Sequence, residues 1–360
     1  MTVVPATPTR YLADRAHITD LLADTPRYRV DQLWQGLYEQ SLPLDALTAL
    51  PRSLRDMLAK TLPLALDEVI ESVSDDGDTV KLLWRLGDGA LIETVLLHYR
   101  DRTTVCVSTQ AGCAMACTFC ATGQAGYQRS LDAGEIVEQV MRARHRSRLA
   151  PGEHPNVVFM GMGEPFANYD NMWAAIERLH DDAGLSARNF TVSTVGIIPG
   201  IRRLGHERLP VNLAVSLHAA NDALRDTLVP INRRYPIADL MEACRDYFAA
   251  KGRRVSFEWA LIDGVNDRAR DAEEFAALAR DLRSHINLIP LNPTPGYEVR
   301  GTPMPRVLAF RDRLRALGAN ATVRRNRGTD IDAACGQLRA AAVERPVSPP
   351  LRVTPQRLRS

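Results

Sequence analysis

Thr104-Val105-Cys106-Val107-Ser108, followed after four intervening residues by Cys113-Ala114-Met115-Ala116-Cys117-Thr118-Phe119-Cys120, is the stretch on which the reading of this chain turns. The first run is short, apolar and β-branched, so it reads as a strand. The three cysteines, spaced four and three apart, then lie on the loop after it. Soft thiolates at that spacing can wrap one side of a metal or iron–sulfur core. Three ligands are one fewer than a closed tetrahedral site needs. A zinc ion would draw its fourth ligand from a distant Cys or His, whereas a four-iron cluster held by three cysteines keeps one iron open. The residues alone therefore admit a zinc-containing, non-catalytic binding protein as well as an iron–sulfur enzyme.

Working outward, apolar runs at Thr104–Ser108, Val157–Met160, Phe190–Ser193, Val211–Leu217, Val255–Leu261 and Ile286–Ile289 alternate with helical stretches such as Ala133–Arg146, Met172–His180, Ala238–Ala250, Asp271–Arg283 and Arg306–Leu317. Repeated β-then-α units imply a parallel sheet, and six or so suggest a closed or partly closed barrel whose working residues follow the strands. Upstream, Val30, Leu33 and Leu37 recur at helical spacing, and three strands at 68–73, 79–86 and 90–98 are divided by Asp75-Asp76-Gly77-Asp78 and Gly87-Asp88-Gly89 turn signals. The expected α/β architecture is a partial (β/α)6 barrel over 99–325, preceded by a small N-terminal α+β domain (1–98) and followed by a C-terminal extension. That extension comprises a loop at 326–344 and a proline- and arginine-rich tail at 345–360, read as mobile.

Of 360 residues 45% are hydrophobic and 24% charged, which excludes global disorder and fibrous repeats. The first ten residues are polar and lack an apolar core, and no window approaches eighteen apolar residues. Neither a secretory signal nor a membrane span is expected, and the chain is assigned to the cytoplasm. Reduced thiols there favour metal binding over disulfides. Of six cysteines, four fall between residues 106 and 120; Cys244 and Cys335 stand apart.

The cysteine loop after a first barrel strand, with Phe119 before the last cysteine, resembles the radical S-adenosylmethionine enzymes. Met160-Gly-Met-Gly-Glu-Pro165 follows the second strand, as that family's glycine- and glutamate-containing turn does. Within the superfamily the chain is similar, over nearly its whole length, to the dual-specificity RNA methyltransferases that methylate carbon 2 of adenine in large-subunit (23S) ribosomal RNA and in transfer RNA at adenine 37. The further residues that carry this resemblance are Tyr28-Arg-Val-Asp-Gln-Leu-Trp34, Ile92-Glu-Thr94, Cys106, Ser193-Thr-Val-Gly196, Ser216-Leu-His218, Asn292-Pro-Thr-Pro-Gly296 and the Gly328–Leu338 segment with Cys335. A sibling activity that methylates carbon 8 and is associated with antibiotic resistance shares the cysteines and the glutamate, so these motifs do not separate the two.

The resemblance implies a chemistry. Carbon 2 of adenine lies between two ring nitrogens and is electron-poor, so it does not attack the methyl of S-adenosylmethionine as an amine would. In the family pattern Cys113, Cys117 and Cys120 hold one 4Fe-4S cluster. Gly163, Glu164, Ser193, Ser216, Leu217, His218 and Asn292 contact S-adenosylmethionine. Cys335 takes a methyl from one S-adenosylmethionine, and a second is cleaved to a radical that activates this methyl for addition to the ring. Glu93 matches the proton acceptor and Cys106 the thiol that releases the product through a disulfide with Cys335. An electron donor such as a flavodoxin or ferredoxin system is implied too. Without the resemblance, Glu93 in Leu91-Ile-Glu-Thr-Val95 would read as a solvent-facing position of an alternating strand, and Cys335 beside Ala333 and Ala334 as small packing. Cys244 matches nothing in the pattern and is assigned to packing.

The net charge of +2 conceals an asymmetry: from Arg324 to Ser360 eight arginines face three acidic residues, an excess of five, which leaves −3 for everything before. A basic end around Cys335 suits a phosphate backbone. Arg142, Arg144, Arg146 and Arg148 form a second concentration, whose spacing of two reads as a solvated helix end.

Overall fold

The turn signals between residues 66 and 98 close a three-stranded antiparallel meander: β1 (Leu66–Val73), β2 (Thr79–Leu86) and β3 (Leu91–His98). Gly77 and Gly89 occupy these turns with φ of +69° and +86°, a left-handed backbone open mainly to glycine. The computed structural model describes residues 8–150, 152–280, 282–292, 299–324, 327–334 and 336–338. Cys335, residues 293–296 and the 345–360 tail lie outside the described residues.

Three helices, α1 (Arg15–Leu21), α2 (Tyr28–Trp34) and α3 (Arg52–Thr61), precede the meander. Val30, Leu33 and Leu37, anticipated from their spacing, are buried in the core. β3 then pairs antiparallel with β4 (Thr103–Cys106), and from there the sheet is parallel: β7 (Asn156–Phe159), β8 (Phe190–Thr194), β9 (Asn212–Ser216), β10 (Val255–Leu261), β11 (Ser284–Pro290) and β12 (Ala321–Val323) follow in spatial order. A separate hairpin, β5 (Gln110–Gly112) with β6 (Tyr127–Ser130), brackets the cysteine loop and its short helix α4 (Ala121–Ala125). Sequence periodicity gave no hint of it, because three- and four-residue strands are too short to show a period.

The crossovers are α5 (Ala133–Arg146), α6 (Tyr169–Asp181), α7 (Ile198–His206), α8 (Asp222–Leu228), α9 (Ile237–Lys251), α10 (Ala269–Ala279) and α11 (Met304–Ala316). Asp132 starts α5 with a reciprocal cap: its carboxylate accepts from Glu135 N at 2.8 Å while the Glu135 carboxylate accepts from Asp132 N at 2.9 Å. The meander and the barrel strands form one ten-stranded sheet, so the N-terminal strands extend the barrel wall.

The arginines at the end of α5 are not a solvated helix end. Arg142 lies 4.2 Å from the Trp84 ring centroid and pairs with Glu138 at 3.2 Å and Glu68 at 3.3 Å. Arg146 reaches Glu68 and Glu71, and Arg148 donates to the Gly77 carbonyl. These side chains fasten the meander to α5, a use that one-dimensional spacing does not reveal. Among the described residues no helix is long and apolar enough to cross a membrane.

Candidate active site

The loop between β5 and α4 carries Cys113, Cys117 and Cys120, and all three line a cavity of about 150 Å3 at the carboxyl ends of the parallel strands. Gly163 and Glu164 after β7, Ser193 on β8, Ser216 on β9 and His218 just beyond it border the same cavity. Strand ends gather at one mouth because every parallel strand enters the sheet from the same side. Cys113 and Cys117 are buried and Cys120 is partly exposed. Burial pushes the Cys113 thiol up to about 12 and Cys117 well above the ordinary range, with neighbouring thiols adding to both. Three thiolates so placed need a cationic partner. Among the described residues no three His, Cys, Asp or Glu side chains converge on a point that a single metal ion could fill. Soft thiolates of this kind suit a metal–sulfur core.

The two glycines after β7 have a packing reason. A Cβ at Gly161 would stand 2.6 Å from the Val107 carbonyl oxygen, and one at Gly163, where φ is +102°, 2.6 Å from Gln110 Cβ. They let this turn press against the segment leading into the cysteine loop. Glu164 is buried, and its oxygens accept from Val195 N at 2.9 Å and Phe166 N at 3.1 Å. Burial nonetheless raises its carboxyl to about 7, the backbone donors offsetting only part of the desolvation. A cationic ligand group would restore its charge.

His218 adopts φ of +61°, packs edge-on to Phe119 at 4.6 Å, and accepts on Nδ1 from Ala260 N at 3.0 Å. Burial, then the Arg225 charge, lowers it to about 3, so it is a neutral lining residue. Leu217 faces the core rather than the cavity; its main chain donates to the Glu258 carbonyl at 3.1 Å and accepts from Arg225 Nε at 3.0 Å. Asn292 is buried just past β11 and borders neither this cavity nor the one around Cys106.

Cys106, at the end of β4, lines a smaller adjoining cavity with Val95, Arg324, Ala333 and Ala334. Cys335 lies outside the described residues, but its neighbours are placed. Ala334 borders the Cys106 cavity and Gly336 the cysteine-loop cavity, and the Gly336 carbonyl accepts from Ala121 N at 2.9 Å. Met160, Ile289 and Arg324 line both cavities.

Glu93 does not face solvent. It is 3% exposed, on a strand whose every position is buried, and its carboxylate is 3.1 Å from Lys81 Nζ. Ser108 ties this strand to both loops: its hydroxyl donates to the Glu93 carbonyl at 2.6 Å and accepts from Met162 N at 2.9 Å, while Gln139 holds its backbone from both sides.

Three site residues escaped sequence reasoning. Glu258 borders the cavity with Oε1 accepting from Asn287 and Oε2 buried without a hydrogen-bond partner among the described residues, an acceptor suited to hydroxyl or amine donors. Arg225 is fully buried and donates to the carbonyls of Val195, Ser216 and Leu217, fastening together the ends of β8 and β9. Lys81 pairs with the buried Glu93. Each sits in a stretch whose pattern is that of an ordinary strand or helix, so no local signal marked it.

Residues 107–279 match the family model described as the radical SAM superfamily. The chain is 50% identical to a probable dual-specificity RNA methyltransferase RlmN of Chloroflexus aurantiacus, over 90% of each chain. It is 49% identical to dual-specificity RNA methyltransferase RlmN 1 of Myxococcus xanthus, over 88% of this chain and 90% of that one. Among solved structures, a radical SAM methyltransferase from Sphaerobacter thermophilus superposes with a TM-score of 0.88 at 51% identity, covering 92% of this chain and 99% of the other.

Proposed function

Because the chain belongs to the dual-specificity RNA methyltransferases of the radical S-adenosylmethionine superfamily, we propose that it methylates carbon 2 of adenine in 23S ribosomal RNA and in transfer RNA, in the cytoplasm, through a methyl carried on Cys335. The observation that carries this reading is the pair of adjoining cavities, one bordered by the three loop cysteines and Gly336, the other by Cys106 and Ala334. Cys335 stands in the chain between Gly336 and Ala334.

Cys113, Cys117 and Cys120 fit one 4Fe-4S cluster by the chemistry of the donor set. Glu164, Ser193, Ser216, His218 and the orphaned Glu258 Oε2 fit the ammonium, hydroxyl and base groups of S-adenosylmethionine. When bound, these groups would supply a transferable methyl, a hydrogen-abstracting radical and an acceptor for the one electron that the ring adduct gives up along with its proton, with two S-adenosylmethionine molecules used per turnover and an external donor such as flavodoxin or ferredoxin providing electrons. The chain's own residues do the rest. Cys335 holds the methyl on sulfur and presents it to the ring. Glu93 takes the proton that carbon 2 loses after the new carbon–carbon bond has formed. The Cys106 thiolate attacks the Cys335 sulfur and breaks its bond to the transferred carbon. That carbon keeps the electron pair and takes up a proton to become methyl, and a Cys106–Cys335 disulfide remains for external reduction. The meander and helices up to residue 98 serve RNA recognition, and the basic end beyond residue 324 approaches phosphates.

The deciding experiment maps the methyl on RNA from cells with and without the protein. A methyl on adenine carbon 2 is expected; a methyl on carbon 8 alone would overturn the choice between sibling activities. Anaerobic purification with iron quantification tests the cluster, and a colourless zinc protein would exclude the radical scheme.

A further inference from the structure

The chain contains only three lysines, Lys60, Lys81 and Lys251, among 45 basic residues. Of these, Lys81 is the one that faces a buried acid. Its side chain is 15% exposed, it lies 3.1 Å from Glu93 Oε1, and its ammonium also donates to the Asp332 carbonyl at 3.3 Å. The position follows from the meander register: Lys81 on β2 is opposite Val95 on β3, two residues from Glu93 and on the same face, which makes Lys81 and Glu93 diagonal neighbours. Val95 is in turn opposite Cys106 on β4. Lys81, Glu93 and Cys106 thus share one face of three adjacent strands.

The segment that leads to Cys335 is laid across this face. Arg327 donates to Asp78 at 3.2 Å and to the His98 carbonyl at 2.9 Å, and its guanidinium stands 4.6 Å from the Tyr99 ring centroid. Asp330 accepts from Asp75 N at 2.8 Å. Gly328, at φ of +64°, lies so close to β2 that a Cβ would stand 2.7 Å from Thr79 Cγ2. Asp332, also left-handed with φ of +52°, turns its carbonyl within reach of Lys81. An ammonium is a compact donor with three hydrogens, able to serve a carboxylate and a carbonyl in different directions at once, whereas a guanidinium's donors are fixed in one plane.

We propose that Lys81 is a positioning residue for the transfer half of the reaction, its ammonium holding the Glu93 carboxylate and the Asp332 backbone together so that proton acceptor and methyl carrier are presented to adenine as one unit. This rests on the two-thiol reading above. Without the ammonium, the Glu93 carboxylate loses its link to the Asp332 carbonyl, and the segment bearing Cys335 loses a contact three residues upstream.

The test compares Lys81→Met and Lys81→Arg in the cluster-loaded, full-length protein. Lys81→Met is expected to carry a methyl on Cys335, by intact-protein mass spectrometry, to the same extent as wild type, which also reports folding and loading. Its kcat for RNA methylation falls about tenfold or more, its KM for RNA stays within about twofold, and covalent RNA–protein adduct accumulates because the proton is removed slowly. Amide hydrogen exchange across residues 328–334 speeds up even in protein without RNA. Lys81→Arg restores charge without the ammonium geometry and recovers part of kcat. An unchanged kcat, unchanged exchange, a loss of Cys335 methylation in step with kcat, or an arginine variant no better than methionine would each overturn the proposal. Failure of the underlying reading shows elsewhere, as RNA methylation surviving in Cys335→Ala.

Discussion

Cys106 on β4 and Val95 on β3 are cross-strand partners, and Glu93 follows two positions along on the same face. A proposed resolving thiol and a proposed proton acceptor, thirteen residues apart in sequence, are thereby fixed on neighbouring strands by backbone hydrogen bonding alone. Neither needs a flexible loop to find the other.

This arrangement predicts a division of labour between Cys106 and Cys335. Cys106→Ala is expected to accumulate a covalent RNA adduct, visible as an RNase-sensitive shift on denaturing gels, while Cys335→Ala forms none. Equal absence of adduct from both, with iron content intact, would refute the assignment.

Glu164 predicts a pH signature. Its folded-state carboxyl sits near 7, above the ordinary value of 4.5, because burial penalises the charged form. The folded state therefore binds a proton that the unfolded chain releases between these values. Its contribution to stability is fully present below about 4.5 and is lost as pH rises toward 7, by about 3 kcal/mol at most. Glu164→Gln cannot ionise and lacks this slope. Denaturant unfolding of cofactor-free protein at pH 5 and 7.5 should show the variant gaining on wild type at the higher pH; a pH-independent difference would contradict the burial argument.

The tight glycine turn predicts a steric contrast. Gly161→Ala must displace the Val107 carbonyl and is expected to cost about 1–3 kcal/mol and to weaken S-adenosylmethionine binding. Gly205→Ala, on α7 with its nearest non-local heavy atom 3.9 Å away, should be neutral or stabilising by up to about 1 kcal/mol. Calorimetric melting of both variants checks the pair, and similar losses from both would remove the distinction.

Arg142 predicts the strength of the seam between meander and barrel. Glu138 is buried and accepts from Ala65 N and Leu66 N as well as from Arg142, and burial raises its carboxyl despite these partners. Arg142→Ala removes the cation from Glu138 and from the Trp84 face, so a loss of about 3 kcal/mol or more is expected in equilibrium unfolding. A change below about 0.5 kcal/mol would mean that solvent already screens the pair.

Arg225 predicts a defect confined to the cofactor mouth. Arg225→Met leaves the carbonyls of Val195, Ser216 and Leu217 without their shared donor. Isothermal titration should show S-adenosylmethionine affinity falling about tenfold or more, with RNA affinity held; an unchanged cofactor affinity would relegate Arg225 to core packing.

The sequence by itself determined the β/α order and the clustering of three cysteines after a strand, and its resemblance to a known family supplied the class of chemistry. Cysteine spacing, the turn after the second barrel strand and the alternation of apolar runs are local patterns, and the strand-then-loop order that places Cys113, Cys117 and Cys120 at a barrel mouth follows from them. Tertiary structure decided everything that depends on two distant stretches meeting. Glu93 could have faced water; it is buried on the face of β3 that the 327–334 segment crosses, where Lys81 reaches both its carboxylate and the Asp332 carbonyl. Arg142 and Arg146 at the end of α5 could have met solvent, yet they meet β1 and Trp84. Arg225, Glu258 and Lys81 have no distinctive neighbours in sequence, since what makes each matter is a carbonyl, a cavity or a carboxylate contributed by another strand. Periodicity reports which side of an element is apolar, but the partner across that side is chosen by packing and hydrogen-bond register, which no single segment encodes.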